Sequence, residues 1–188
     1  SDAMVKLASW YEHGKGGLPK NLKKVACLLG QAAGSGHVRA KYKLGLMYIN
    51  GEGVDKNLAI GISWLRQAAA EKSIEALRDL SSCYKKGDGV PQNDAIARNL
   101  SEKAEALSKL DKICKSAYRY AYGVGVKQDL NIAVALCIVA TTECPVERRG
   151  HMQDVLVRDL NWYYNKAVDK GISLDADVLE FMETYEYY

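Results

Sequence analysis

The residues of this 188-residue chain best suited to chemistry are its three histidines and five cysteines. His13, His37 and His151 are scattered: no His-Glu-x-x-His is present and no Cys/His cluster falls at ligand spacing, so no metal is expected. Cys27, Cys83, Cys114, Cys137 and Cys144 form no Cys-x-x-Cys. An odd, irregular set points to a reducing compartment and buried thiols rather than to a disulfide framework. Cys144 and His151 are a thiol and an imidazole seven positions apart, but a proline start at Pro145 intervenes and nothing orients the pair as nucleophile and base. Neither a Gly-x-Ser-x-Gly nor a P-loop is present. The acidic residues are spread over helix surfaces, where solvation is the default. We expect no catalytic residue, no cofactor and no enzymatic activity.

Paired glycines are the other chemical candidate. "YINGEGVDKN", beginning at Tyr48, could open a phosphate-cradling loop, but that fingerprint needs a preceding strand and further glycines at set spacing. The stretch is instead one of four. "YEHGKGGLPKN" begins at Tyr11, "YKKGDGVPQND" at Tyr84 and "YAYGVGVKQD" at Tyr120, at intervals of 36 or 37 positions. Recurrence at a fixed interval marks an architectural unit.

The positioning elements follow from that register. Three residues before each tyrosine lies a small residue (Ala8, Gly45, Ser81, Ala117), and four before it lie Leu7, Leu44, Leu80 and the exception Ser116. Such offsets share one helix face. After the glycines, which end a helix, come Asn21, Asn57, Asn93 and Asp129, strong N-cap residues for a second helix. In that second helix Leu28, Trp64, Leu100 and Leu136 are in register, and so are Ala32, Ala68, Ala104 and Ala140. Each unit thus reads as a helical hairpin of about 36 residues, which predicts eight repeat helices. Burying four or five large side chains contributes about 1.5–3 kcal/mol each, against roughly 1–2 kcal/mol per residue for ordering the backbone. A lone hairpin cannot meet that cost, so the units must stack and share one core.

The segment "AKYKLGLMYINGEGVDKNLAIGISWLRQAA", Ala40 to Ala69, resembles the Sel-1-like repeat family, α/α solenoids related to tetratricopeptide repeats. It follows the pattern A-x-x-x-L-G-x-x-Y-x-x-G-x-G-V with a later W and A-A, and three further units match less fully. Departures fall at Ser116, Glu105 and Thr141. The resemblance implies an all-α, right-handed α/α solenoid of hairpin repeats. It also implies a binding scaffold, often bacterial, that mediates protein–protein contacts without catalytic residues of its own. We expect four repeats over residues 3–144 and C-terminal capping helices over 145–188, with 146–168 as one long helix. Val178, Phe181, Met182 and Tyr185 form the stripe of a shorter acidic one.

Composition fits a soluble folded chain: 48% apolar and 26% charged residues, with no apolar run near the 18 or more residues that a membrane span needs. Ser1-Asp2-Ala3 before Met4 reads as a cloning remnant. The expected compartment is cytoplasmic, or periplasmic if a signal peptide has been removed. Net charge is +3, but residues 171–188 hold five acidic residues and no Lys or Arg, leaving 26 basic against 18 acidic over residues 1–170.

Rotating each first helix by 100° per residue places a second face opposite the core stripe. From this face we take Arg39, Tyr42, Lys43, Leu46, Asn50, Arg78, Ser82, Lys85, Lys86, Lys115, Tyr118 and Tyr122 as a partner-binding groove, with Lys6, Ser9, Glu12 and His13 as the first unit's share. Such a surface suits a protein partner or an acidic, aromatic-containing peptide. The alternative is an ordinary solvated helix face. Nucleic acid is not expected: an isoelectric point near 8.5 is below that of a dedicated binding domain, and the acidic tail opposes it. Two functions fit: an interaction scaffold or adaptor, or alternatively an immunity-type inhibitor that blocks a cognate toxin or enzyme. The acidic tail adds the expectation of weak self-association.

Overall fold

Helix follows helix along the chain: α1 (Asp2–His13), α2 (Leu22–Gly34), α3 (Val38–Asn50), α4 (Leu58–Ala70), α5 (Ile74–Lys86), α6 (Asp94–Tyr122) and α7 (Leu130–Thr142). The computed structural model describes residues 2–142 together with Trp162, Asn165, Val168 and Asp169. No strand occurs among them, as the all-α expectation required. The capping helices expected over 146–168 and the acidic stripe after it lie outside the described residues, apart from those four positions. The chain divides into two compact units, Ser1–Leu107 and Ser108–Tyr188.

The loop between the helices of a hairpin is built the same way each time. The side-chain oxygens of Asn21, Asn57 and Asn93 accept from the amides of Lys24, Ile60 and Ile96, each at 3.0 Å. The Asp129 carboxylate accepts from Asn131 and Ile132 at 3.0 and 3.1 Å. The same four cap residues donate their own N–H to the carbonyls of Tyr11, Tyr48, Tyr84 and Tyr120, at 2.8 to 3.0 Å. Each loop is thereby closed on the recurring tyrosine. Gly51 and Gly87 take the left-handed conformation, φ 77° and 76°, and stop α3 and α5. The second glycine has another duty. A Cβ on Gly53 would lie 2.3 Å from the Leu22 carbonyl oxygen, and one on Gly89 would lie 2.6 Å from Ile62, so each loop rests on the second helix of the preceding hairpin.

Small residues set the spacing between helices. A Cβ on Gly61 would sit 2.8 Å from the Gly45 carbonyl oxygen and 2.6 Å from Ile49, which makes α3 and α4 cross almost backbone to backbone. Ala32, Ala68 and Ala140 are fully covered and Ala104 nearly so, as their register predicted. Leu28, Trp64 and Leu100 are only half-buried, and the fully buried large side chains of α2 and α4 are their neighbours Leu29 and Leu65. Among the described residues, unit one holds three apolar clusters. One centres on Ala8, Leu29 and Leu44, a second on Ile62, Leu65 and Leu80, and a third on Leu77, Ala104 and Leu107. In unit two Leu110 and Ala140 pack with Ile113 and Cys114.

One expectation is corrected. Eight repeat helices were predicted, with a turn between the second helix of repeat three and the first of repeat four. The structure instead runs through that junction as the 29-residue helix α6. The earlier junctions turn at Gly36 (φ 84°) and Lys72 (φ 71°) and restart on the caps His37 and Ser73. The matching positions 36 residues on are Ser108 and Lys109, within Ala104–Leu110, a run with neither a glycine nor an N-cap in place. Ala, Leu, Glu and Lys are strong helix formers, and the helix continues.

Candidate interaction face

The first helices of unit one carry the predicted face, and two side-chain bonds tie them together across it. Lys43 Nζ of α3 donates to Glu12 Oε2 of α1 at 2.7 Å. The Tyr42 hydroxyl of α3 donates to Asp79 Oδ2 of α5 at 2.9 Å. Burial, followed by the bond to Asp79 and the charges of Asp79 and Glu75, pushes the Tyr42 phenol up to about 12. It therefore stays protonated, and a donor, at neutral pH. Beside these, Lys41 is buried and its ammonium pairs with Glu71 at the end of α4.

Two hollows open along one stripe of α3. The first, about 700 Å³, lies at the N-terminal ends of α3 and α5 and is lined by Arg39, Tyr42, Lys43, Glu71, Lys72 and Glu75, with Val38 and Ser73. The second, about 400 Å³, lies at their C-terminal ends. Ile49, Leu58 and Ile62 give it an apolar lining, and Asn50, Lys56, Asp88 and Cys83 complete it. Burial, with Asp88 and Asp79 nearby, raises the Cys83 thiol, so this sulfur is held as the unreactive thiol at neutral pH.

Of the groove residues read from the sequence, Arg39, Tyr42 and Lys43 meet in the first hollow and Asn50 lines the second. Leu46 is half-buried against the α4–α5 cluster. Arg78, Ser82, Lys85 and Lys86 are exposed on α5 and line neither hollow. Lys115, Tyr118 and Tyr122 belong to α6 within unit two. There Lys115 pairs with Asp111 at 2.6 Å, and Tyr118 and Tyr122 have ring centroids 4.5 Å apart, with Trp162 stacked 5.3 Å from Tyr122. From Lys6, Ser9, Glu12 and His13 only Glu12 makes a bond to a neighbouring first helix, while His13 bonds the Ser9 carbonyl of its own helix.

Sequence reading missed Glu71, Lys72, Lys56 and Asp88, which are loop residues. A signal existed for Lys72. It is the one described non-glycine residue with positive φ, at the position that Gly36 fills one repeat earlier. The two described histidines, His13 and His37, take structural places. His37 Nδ1 accepts from the Ala40 amide at 3.2 Å as the cap of α3, and its Nε2 lies 3.1 Å from Asp2. Among the described residues no group of three or more His, Cys, Asp or Glu side chains could hold a metal ion. The Cys144–His151 pair lies outside the described residues. No described helix is long and apolar enough to cross a membrane.

Against known proteins, the model of the Sel1 repeat matches four times, over residues 1–36, 38–73, 74–108 and 113–140. No curated protein is significantly similar to the chain. Among solved structures, the chain is similar to a Sel1 repeat protein from Oxalobacter formigenes. The two are 26% identical, over 97% of this chain and 71% of that one, with a TM-score of 0.55. It also matches c5321, a protective antigen present in uropathogenic Escherichia coli strains and displaying an SLR fold. That likeness is 20% identity over 99% of this chain and 45% of that one, with a TM-score of 0.55, and it speaks for the fold alone. Proteins of Sel1 repeats generally mediate protein–protein contacts. Four matched repeats, an all-α hairpin fold and loops closed on a recurring tyrosine agree: the chain belongs to the Sel1 repeat family.

Proposed function

We propose that this chain is a non-catalytic interaction scaffold, and that its α1–α3–α5 face holds an acidic, aromatic-containing segment of a protein partner. The observation that carries the reading is the pair of hollows on one stripe of α3, polar at one end and apolar at the other. Arg39 and Asn50 are eleven helical steps apart, about 16 Å at 1.5 Å per residue. That is the length of roughly five residues of extended peptide. In the upper hollow Lys43 is neutralised by Glu12 and Glu71 by Lys41, whereas Arg39 and Lys72 have no ion pair among the described residues. Those two cations are the ones available to a partner's carboxylates. The apolar lining of the lower hollow suits a large aliphatic or aromatic side chain. Arg78, Lys85 and Lys86 flank the seam as exposed cations that speed encounter, and Lys115, Tyr118 and Tyr122 offer unit two a surface of the same type.

Selection of peptides from a random display library against the full chain tests this. Recovered sequences should be enriched in Asp and Glu together with an aromatic or large aliphatic residue, and their association should slow as salt is added. Arg39→Glu with Lys72→Glu should lower the association rate on the order of tenfold, and reversal of Arg78, Lys85 and Lys86 should lower it less. Recovery of peptides without acidic enrichment, or equal rates for wild type and the Arg39/Lys72 pair, would reject the assignment.

A further inference from the structure

The two hollows beside α3 are separate compartments rather than one trough. Arg39 and Tyr42 line the upper one, with Lys72 from the loop before α5. Ile49 lines the lower one, with Leu58 and Ile62 of α4 and Cys83 of α5. Two features stand between them along the helices. The Tyr42 hydroxyl donates to Asp79 Oδ2 at 2.9 Å, a direct strut from α3 to α5. One turn further along α3, Leu46 packs half-buried against the α4–α5 cluster. A bound α-helix, about 10–12 Å across with its side chains, needs an open trough and would ride on that strut. An extended chain is narrower, and its side chains alternate between two faces. It can cross the strut and still lower one side chain into each hollow.

We propose that the partner segment lies extended across the Tyr42–Asp79 strut, with its carboxylate and its large apolar side chain four positions apart. This register rests on the assignment of the α1–α3–α5 face to an acidic, aromatic-containing partner. The spacing follows from the helix. Tyr42 and Ile49 are seven helical steps apart and Arg39 and Ile49 ten, so about 10–15 Å separates the basic end from the apolar one. At about 3.3 Å per residue, an extended chain covers that distance in three to five residues. Only an even spacing turns both side chains to one face, and four is the even number in that range. The residue midway, two positions from each, then faces the strut. There Asp79 accepts the Tyr42 bond, and Glu75, one turn before it, lines the upper hollow. A second carboxylate at the midway position would be repelled by these two charges, whereas a neutral or cationic residue would not. The face therefore selects an acid, a non-acidic residue and an apolar anchor at every second position, which is a narrower demand than acidic composition.

The probe is a series of fluorescein-labelled peptides in a host of serine, threonine and glycine. Each carries one Glu and one Phe, two to eight positions apart and in either order, and is titrated into the full chain by anisotropy. The tightest binding is expected at a spacing of four, roughly tenfold ahead of three and five, because an anchor turned out of its pocket costs about that much. Arg39→Glu with Lys72→Glu, both at exposed positions, should erase the preference. A Glu placed midway in the best peptide should weaken it several-fold, and a Lys there should not. With a photoreactive benzoylphenylalanine in place of Phe, the cross-link should fall on the lining of the lower hollow, Ile49, Leu58, Ile62 or Cys83. An optimum at seven, the spacing that returns to one face of a helix, overturns the extended register while leaving the acidic-and-aromatic reading of the face in place. Binding that ignores the spacing, or a cross-link away from the lower hollow, does the same. Binding at no spacing, or binding that the charge-reversed pair leaves unchanged, overturns both.

Discussion

Tyr42 shows what one side chain contributes on this face. Its hydroxyl ties α3 to α5 through Asp79, and the ring lies against the apolar cluster of α4 and α5. Burial first, then Asp79 and Glu75, raises the phenol from its ordinary 10 to about 12. The folded chain therefore keeps a proton that the unfolded chain loses from pH 10 upward. Where the native state binds the extra proton, stability falls as pH rises. Its stabilisation is thus fully present below about pH 10 and is lost as pH climbs toward 12. Tyr42→Phe has no such proton. We expect the stability advantage of wild type over Tyr42→Phe to hold steady up to about pH 10 and to shrink from there to pH 12, as read from urea midpoints in that range. A constant advantage through the window would mean that the hydroxyl does not sense Asp79 in the fold.

At the scale of elements, what could be read from the sequence was what is local. Asn21, Asn57, Asn93 and Asp129 cap their helices, and Gly51 and Gly87 end theirs, because a cap needs only its own next three residues and a left-handed stop only its own backbone. The ties Lys43–Glu12 and Tyr42–Asp79 span 31 and 37 positions and depend on which helices become neighbours, so rotation by 100° found the face without its bonds. Lys72 and Glu71 went unread because they lie between helices. The turn expected between repeats three and four was read from analogy with the earlier repeats, although the run Ala104–Leu110 has no glycine and carries Lys109 where His37 and Ser73 cap the earlier helices. Continuity of α6 has a direct measure. Spin labels replacing the exposed Asn99 and Lys115, with the native cysteines changed to Ser or Ala, are sixteen residues apart. One continuous helix separates their backbones by about 24 Å, whereas a hairpin would bring them to about the 8–10 Å of packed helices. We expect a single population near the longer distance, and a dominant short one would restore the eight-helix reading.

For the whole molecule, the division after Leu107 makes a claim about independence. Among the described residues, the three apolar clusters of unit one draw their members from residues up to Leu107: Ala8 with α2 and α3, Leu65 with α5, and Leu77 with Ala104 and Leu107. In a repeat array stability is close to a sum of repeat and nearest-neighbour terms, so a block whose interfaces are internal keeps its share when the rest is removed. Residues 1–107 carry 16 basic against 11 acidic side chains, enough net charge to favour solubility. We therefore expect a chain ending at Leu107 to remain helical and to unfold cooperatively in urea. Its m-value should be smaller than that of the full chain, because less surface is exposed on unfolding. The mutation Gly53→Ala supplies the control, since its Cβ would strike the Leu22 backbone in the fragment as it does in the full chain. It should lower the midpoint of both by a similar amount, because that contact lies wholly within unit one. A fragment that melts without cooperativity would show that unit one draws its stability from residues beyond Leu107, and that its three apolar clusters are not the whole of its core.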